Sequence, residues 1–223
     1  MRWSRAEALL LVALLLAACS GETADPVASI PPGQGEASAV AAVEALVDAI
    51  NVPDFADASR LAIPGQAALA SLAEGASFVD VAEALRSGDE EVAANFWSGF
   101  AQGTGSFLVG SVTAEDGGTY TESGVVFSVV DITPANGETR RVLLRDVDGY
   151  RIDLFASFGS GLADKMVAPV ERLLSTQTDD ARLILVDLKE IVPSLLAAAG
   201  QPDTPSEVSQ QLLALVEVIT RVT

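Results

Sequence analysis

Val125-Val126-Phe127-Ser128-Val129-Val130-Asp131-Ile132-Thr133-Pro134-Ala135-Asn136-Gly137-Glu138-Thr139-Arg140-Arg141-Val142-Leu143-Leu144-Arg145-Asp146-Val147-Asp148-Gly149-Tyr150-Arg151-Ile152-Asp153-Leu154 decides the fold. Apolar residues recur at alternate positions, β-branched residues dominate, and two turn signals interrupt the run. Connections this short permit only antiparallel hairpins. With its upstream neighbours the pattern predicts strands near 106–113, 119–132, 139–146 and 149–157, separated at Asp116-Gly117-Gly118, Pro134-Ala135-Asn136-Gly137 and Asp148-Gly149. Read as a two-residue type I′ loop, Asn136-Gly137 sets Val129 opposite Leu144 and Asp131 opposite Val142. A three-residue Val147-Asp148-Gly149 loop with Gly149 left-handed sets Leu144 opposite Ile152 and Val142 opposite Leu154. The two turns predict one packed face, of Val125, Phe127, Val129, Val142, Leu144, Ile152 and Leu154. They leave Arg141, Arg145, Arg151 and Asp153 on a wet one.

On both sides of this meander the period changes to that of a helix. Ala39, Val43, Leu46, Val47 and Ile50 make one amphipathic stripe, and Pro53 and Pro64-Gly65 bracket two shorter helices around 54–62 and 66–73. Ser77 precedes a further stripe, and Ser87-Gly88-Asp89-Glu90 reads as a capping box before Val92, Phe96 and Phe100. After the sheet, Leu162 to Leu174 form a helix and Thr178 starts another that runs to Gly200. Thr204-Pro205-Ser206-Glu207 opens the last one. Pro169 and Pro193 should kink or shorten their helices. The fold class is therefore α+β: N-terminal helices, a four-stranded antiparallel meander, and C-terminal helices packed on or beside it. The organisation reads as a leader over 1–18, a tether over 19–36, an α+β domain over 37–159 and a helical extension over 160–223. Pro26, Pro31, Pro32, Gly21, Gly33 and Gly35 mark the tether, which reaches ~55 Å when fully extended.

The chain opens Met1-Arg2-Trp3-Ser4-Arg5, continues with an apolar run from Ala8 and closes on Leu16-Ala17-Ala18-Cys19. A basic start, a short apolar centre and small residues before a cut make a secretory leader. Its last four residues resemble the lipobox of bacterial lipoproteins. That resemblance implies a diacylglycerol thioether on Cys19, cleavage before it and an N-acyl group on the new terminus. The run is about half the roughly 20 residues of a transmembrane helix. Several acyl chains, each adding ~0.8 kcal/mol per buried methylene, hold a protein stably to a bilayer. The expected location is extracytoplasmic, lipid-anchored to the cell membrane or the outer membrane, with the membrane itself as the first partner.

Composition excludes more than it assigns. With 31 acidic against 13 basic residues the net charge is −18, and cleavage makes it slightly more negative. Such a surface repels phosphate backbones, so nucleic acid is not an expected partner. There is no histidine, which removes Ser-His-Asp and Cys-His nucleophiles and His-ligated zinc. Cys19 is the only cysteine, so a lipid there leaves no thiolate chemistry and no disulfide. No cofactor is expected beyond the lipid.

The order of helices, then Ala84-Leu85-Arg86-Ser87-Gly88-Asp89, then a meander ending Val142-Leu143-Leu144-Arg145-Asp146-Val147-Asp148-Gly149-Tyr150-Arg151-Ile152-Asp153-Leu154, is similar to the cystatin-like cone of the nuclear-transport-factor-two-like superfamily. The likeness covers roughly residues 37–158, and the helices beyond 160 depart from it. Such cones host isomerases, cyclases, hydratases and plain binding modules, so the resemblance implies a fold and not an activity.

Four residues are candidates for a ligand pocket: Asp131, Tyr150, Trp97 and Phe100. Asp131 on an apolar face would have its pKa raised by desolvation and serve as a proton shuttle; one residue from the end of its strand, before Ile132-Thr133-Pro134, Asp more commonly makes a turn bond or meets water. Trp97, Phe100 and Tyr150 suit an apolar pocket or ordinary core. Asp153 reads as a surface ion pair with Arg141 or Arg145. Asp89-Glu90-Glu91 and Asp179-Asp180 lack the alternation of a calcium loop and suit helix N-termini. No constellation reaches catalytic specificity. Three readings follow: a non-catalytic module for a small apolar ligand or an envelope partner; a cone enzyme using carboxylate chemistry; a structural or lipid-handling protein. A closed pocket holding an acid favours the second, and a groove between the C-terminal helices and the sheet favours the third.

Overall fold

The computed structural model describes residues 35–88 and 91–221. Cys19, the lipobox and nearly all of the tether lie outside them. Before the sheet come α1 (Ala39–Asn51), α2 (Phe55–Leu61), α3 (Gln66–Ala70), α4 (Phe78–Ser87) and α5 (Glu91–Gln102). The sheet is β1 (Val112–Glu122), β2 (Val125–Pro134), β3 (Arg140–Asp146) and β4 (Tyr150–Ile152), antiparallel in the order β1-β2-β3-β4. After it come α6 (Leu154–Phe158), α7 (Ala163–Ser175), α8 (Asp179–Glu190), α9 (Val192–Ala199) and α10 (Ser206–Thr220). The α+β class and the order of its parts are as the sequence predicts. Among the described residues no helix is long and apolar enough to cross a membrane.

Several helix starts follow from short polar side chains that accept a first-turn N–H. Ser38 caps α1, Ser77 caps α4 and Thr178 caps α8. The predicted capping box at Ser87-Gly88-Asp89-Glu90 falls partly outside the described residues. Ser87 closes α4, its hydroxyl donating to the Glu83 carbonyl at 2.7 Å, and Asp89 and Glu90 lie outside the described residues. Pro193 divides its helix as expected: α8 ends at Glu190 and α9 begins at Val192. Pro169 is instead accommodated inside α7, where it is buried. Thr204 turns its hydroxyl back to the Ala198 carbonyl at 2.8 Å, leaving Pro205 at the cap of α10.

The strands differ from the prediction at two of its three turns. Asp116-Gly117-Gly118 is no turn but a bulge inside one long β1. The chain reverses at Ser123-Gly124, where φ is 50° and 81°, both positive as a type I′ turn requires. Asn136 and Gly137 have no such φ; Gly137 N–H bonds the Pro134 carbonyl at 3.3 Å across a wider loop. The wider loop moves the β2–β3 register by one residue. Val129 faces Leu143 and Asp131 faces Arg141, with Val130 opposite Val142. A one-residue slip exchanges the faces of a strand. The packed face is thus Val130, Ile132, Val142, Leu144 and Ile152, all in the main core with α1, α5 and α7. Val125, Phe127 and Val129 point the other way. That second face is not simply wet: Phe127 and Leu143 are covered by Ala156 of α6 and Ala197 of α9, while Asp131 and Arg141 remain at its open end. The third turn behaves as read, with Leu144 opposite Ile152 and Gly149 at φ 96°. β4 nevertheless stops at Ile152, because Asp153 starts α6.

Gly35 and Glu36, the last residues read as tether, are already part of the fold. Glu36 bridges Tyr150, and Gly35 N–H bonds the Asp148 carbonyl at 2.7 Å. A Cβ on Gly149 would lie 2.5 Å from the Gly35 oxygen, in a backbone conformation that L side chains rarely adopt. Gly149→Ala is expected to lower stability by about 1–3 kcal/mol, read from the urea midpoint at constant m value.

Candidate functional site

Two places gather polar side chains: a sealed node behind the sheet and an open groove. The node is built on Asp153. As the cap of α6 it accepts the Ala156 N–H at 3.0 Å. Ser194 of α9 donates its hydroxyl to Oδ2 at 2.7 Å, and Gln66 of α3 donates its amide to Oδ1 at 3.1 Å. Gln66 also accepts the Leu154 N–H at 2.7 Å. Arg145 of β3 sets Nε 3.0 Å from Oδ2, an ion pair without an aligned hydrogen bond. Asp153 and Ser194 are 0 % exposed and Gln66 2 %. Burial pushes the Asp153 carboxyl above the usual range, against the opposing pull first of Arg145 and then of the three hydrogen-bond donors. The expected surface ion pair is a buried one.

A carboxylate that accepts three hydrogen bonds, faces a guanidinium and has no solvent contact is poorly placed to meet a substrate. Its connections explain it better: α3, β3, α6 and α9 come from distant parts of the chain, and one side chain ties them together. The neighbouring Arg151, directly opposite Arg145 in the ladder, is held by backbone carbonyls of Arg60, Ala62 and Val147. Burial, then the Arg60 charge, lowers its pKa.

The groove has a volume of about 630 Å³ and lies between β3 and the segment joining α9 to α10. Leu143, Ala156 and Phe158 contribute apolar wall, and Arg140, Arg141, Thr104 and Ser160 line it with Gln201 and Thr204. Glu138 and Asp203 contribute carboxylates to the same lining. A second depression of about 400 Å³ adjoins it through Ser106, Phe107, Glu138 and Arg140. Much of the wall is satisfied internally. Ser157 accepts the Leu143 N–H at 2.8 Å and donates to its carbonyl at 3.0 Å, and Gln201 donates to Ala197 at 3.2 Å. Arg140 lies over the Phe107 ring, 5.1 Å from its centroid, and meets no carboxylate among the described residues.

The four residues singled out in the sequence do not converge. Trp97 is buried in an aromatic cluster with Phe96 and Phe100, and its Nε1 donates to Ser59 at 2.9 Å. Phe100 packs edge-on against Phe158, with ring centroids 4.9 Å apart, one layer behind the groove wall. Tyr150 stands at the β4 edge beside Glu36. Asp131 is 3.5 Å from Arg141, both side chains more than a third exposed. Arg141 lines the groove, but Asp131 does not. The groove residues from 156 to 161 leave no mark in the sequence pattern, because the predicted fourth strand over 149–157 runs on through Leu154-Phe155-Ala156-Ser157. Asp153 before a run buried at 154, 155, 156 and 158 is a capped-helix signal.

Asp179 and Asp180 occupy the first turn of α8, where Asp180 lies 3.3 Å from Arg86. Among the described residues no group of three or more acidic side chains is arranged to hold a metal ion. No family model matches the chain, nor does any curated protein or solved structure.

Proposed function

We propose that this protein is a membrane-anchored extracytoplasmic lipoprotein whose folded part is a non-catalytic binding module, with the groove between β3 and the α9–α10 segment as its site. The groove is the observation that carries the reading. Its volume is in the range of small-molecule sites, and its walls combine Leu143, Ala156 and Phe158 with arginine, serine and threonine. That mixture suits a ligand with an apolar body and polar ends. The buried acid among the described residues, Asp153, is enclosed by its own partners, and Asp131 is paired with Arg141. The lipobox resemblance supports the anchor.

A lipid-handling role is the second reading, because the groove runs between the sheet and the segment that joins the C-terminal helices α9 and α10. One experiment tests both. Full-length protein extracted from its own cells in mild detergent should yield a bound small molecule by mass spectrometry. Ser160→Trp, at an exposed position on the groove lining, should reduce recovery by about tenfold or more, equivalent to ~1.4 kcal/mol of affinity. A molecule with long acyl chains would favour lipid handling. Recovery that is unaffected by Ser160→Trp would remove the groove from the account.

A further inference from the structure

We propose that the outer edge of β1 accepts an extended lysine- or arginine-bearing segment of a partner protein, which joins the sheet as a fifth strand. This goes beyond the groove and does not depend on it. The two edges of the sheet are finished differently. β4 has three residues and is flanked by Glu36, bridged to Tyr150, and by Ala62, bridged to Ile152. β1 has 11 residues and, among the described residues, pairs only with β2. Residues 115–119 along it are all exposed. An edge strand presents a row of N–H and C=O groups without ladder partners, and these can take up another strand. The bulge between Asp116 and Gly118 divides the edge into two regular runs, 112–116 and 118–122.

Charge selects the occupant. Residues paired across an antiparallel ladder share a face, so Glu115, Asp131 and Arg141 form one row over β1, β2 and β3. Two carboxylates in that row face one cation, and the single ion pair is between Asp131 and Arg141. A cation on an added strand opposite Glu115 would complete the alternation. Asp116 and Glu122 lie on the same strand and add to its negative charge. A second copy of this chain would bring like carboxylates together, on top of a net charge of −18. A neutral strand would gain only ladder bonds.

Amide hydrogen exchange of the full chain tests this with two synthetic decapeptides, one alternating lysine with valine and threonine, the other with glutamate in place of lysine. At about 1 mM, a concentration that detects weak strand addition, the lysine peptide should slow exchange within β1 and the glutamate peptide should not. Glu115→Lys should weaken the effect by about tenfold without lowering the unfolding temperature, and Glu115→Gln should fall between. The proposal is overturned if β1 gains no protection, if both peptides protect equally, or if protection survives Glu115→Lys. Concentration-dependent protection of β1 without peptide would also overturn it, by giving the edge to a second copy.

Discussion

Asp153→Ala is expected to destabilise the domain by about 3–5 kcal/mol, a large part of the stability of a domain this size. Loss of the cap on α6 contributes about 1 kcal/mol. The remainder comes from the partners left behind. Ser194 and Gln66 are buried donors whose acceptor disappears, each costing roughly 1–3 kcal/mol. Arg145 loses its counter-charge, a smaller effect because its side chain keeps some solvent contact. Urea unfolding at neutral pH measures the sum, and a loss below about 1 kcal/mol would mean that the node is not structural.

The conservative variant separates charge from shape. Burial raises the Asp153 pKa in the fold, so the folded state keeps the proton to higher pH than the unfolded chain does. The contribution of this group is full below the unfolded pKa of about 3.9 and is lost as pH rises through the raised folded value. Asparagine does not titrate. The stability advantage of wild type over Asp153→Asn should therefore be largest near pH 4 and shrink toward neutrality. Paired urea titrations across that interval check it, and an advantage that grows with pH would show that Arg145 outweighs burial.

Cys19→Ser is expected to move the protein from the membrane to the soluble fraction. Acyl chains contribute ~0.8 kcal/mol for each buried methylene, so two or three chains anchor stably and none leaves only an acidic chain with little affinity for anionic headgroups. Intact-mass measurement of the wild type from its own cells should show loss of residues 1–18 and gain of acyl mass, with neither change in the variant. A wild type of unprocessed mass would refute the anchor while leaving the groove experiment informative.

The sequence made the α+β class legible because it depends on periodicity, which single residues scarcely alter. It made the faces of β2 illegible because these depend on one residue of loop length. Asn136-Gly137 has the chemistry of a tight turn, but the reversal that uses that geometry is at Ser123-Gly124. The same slip misplaced Asp131, which stands beside Arg141 on the open end of the second face. Asp153 looks like a surface residue in the sequence because Ile152-Asp153-Leu154 alternates like a strand, whereas its partners Gln66 and Ser194 lie far away along the chain and leave no local signal. The groove depends in the same way on packing between β3 and α9, which periodicity does not encode.

Under the proposed lipid anchor, the joint at Gly35 and Glu36 would have a mechanical consequence. Tension arriving from upstream meets the sheet beside the β3–β4 turn before it reaches α1. Three backbone hydrogen bonds, between Gly35 and Asp148 and in both directions between Glu36 and Tyr150, must part first, together with the Glu36–Arg60 ion pair. The load falls there on β4 and the turn that precedes it, so α1 and the hydrophobic interior behind it stay unstressed until that seam opens.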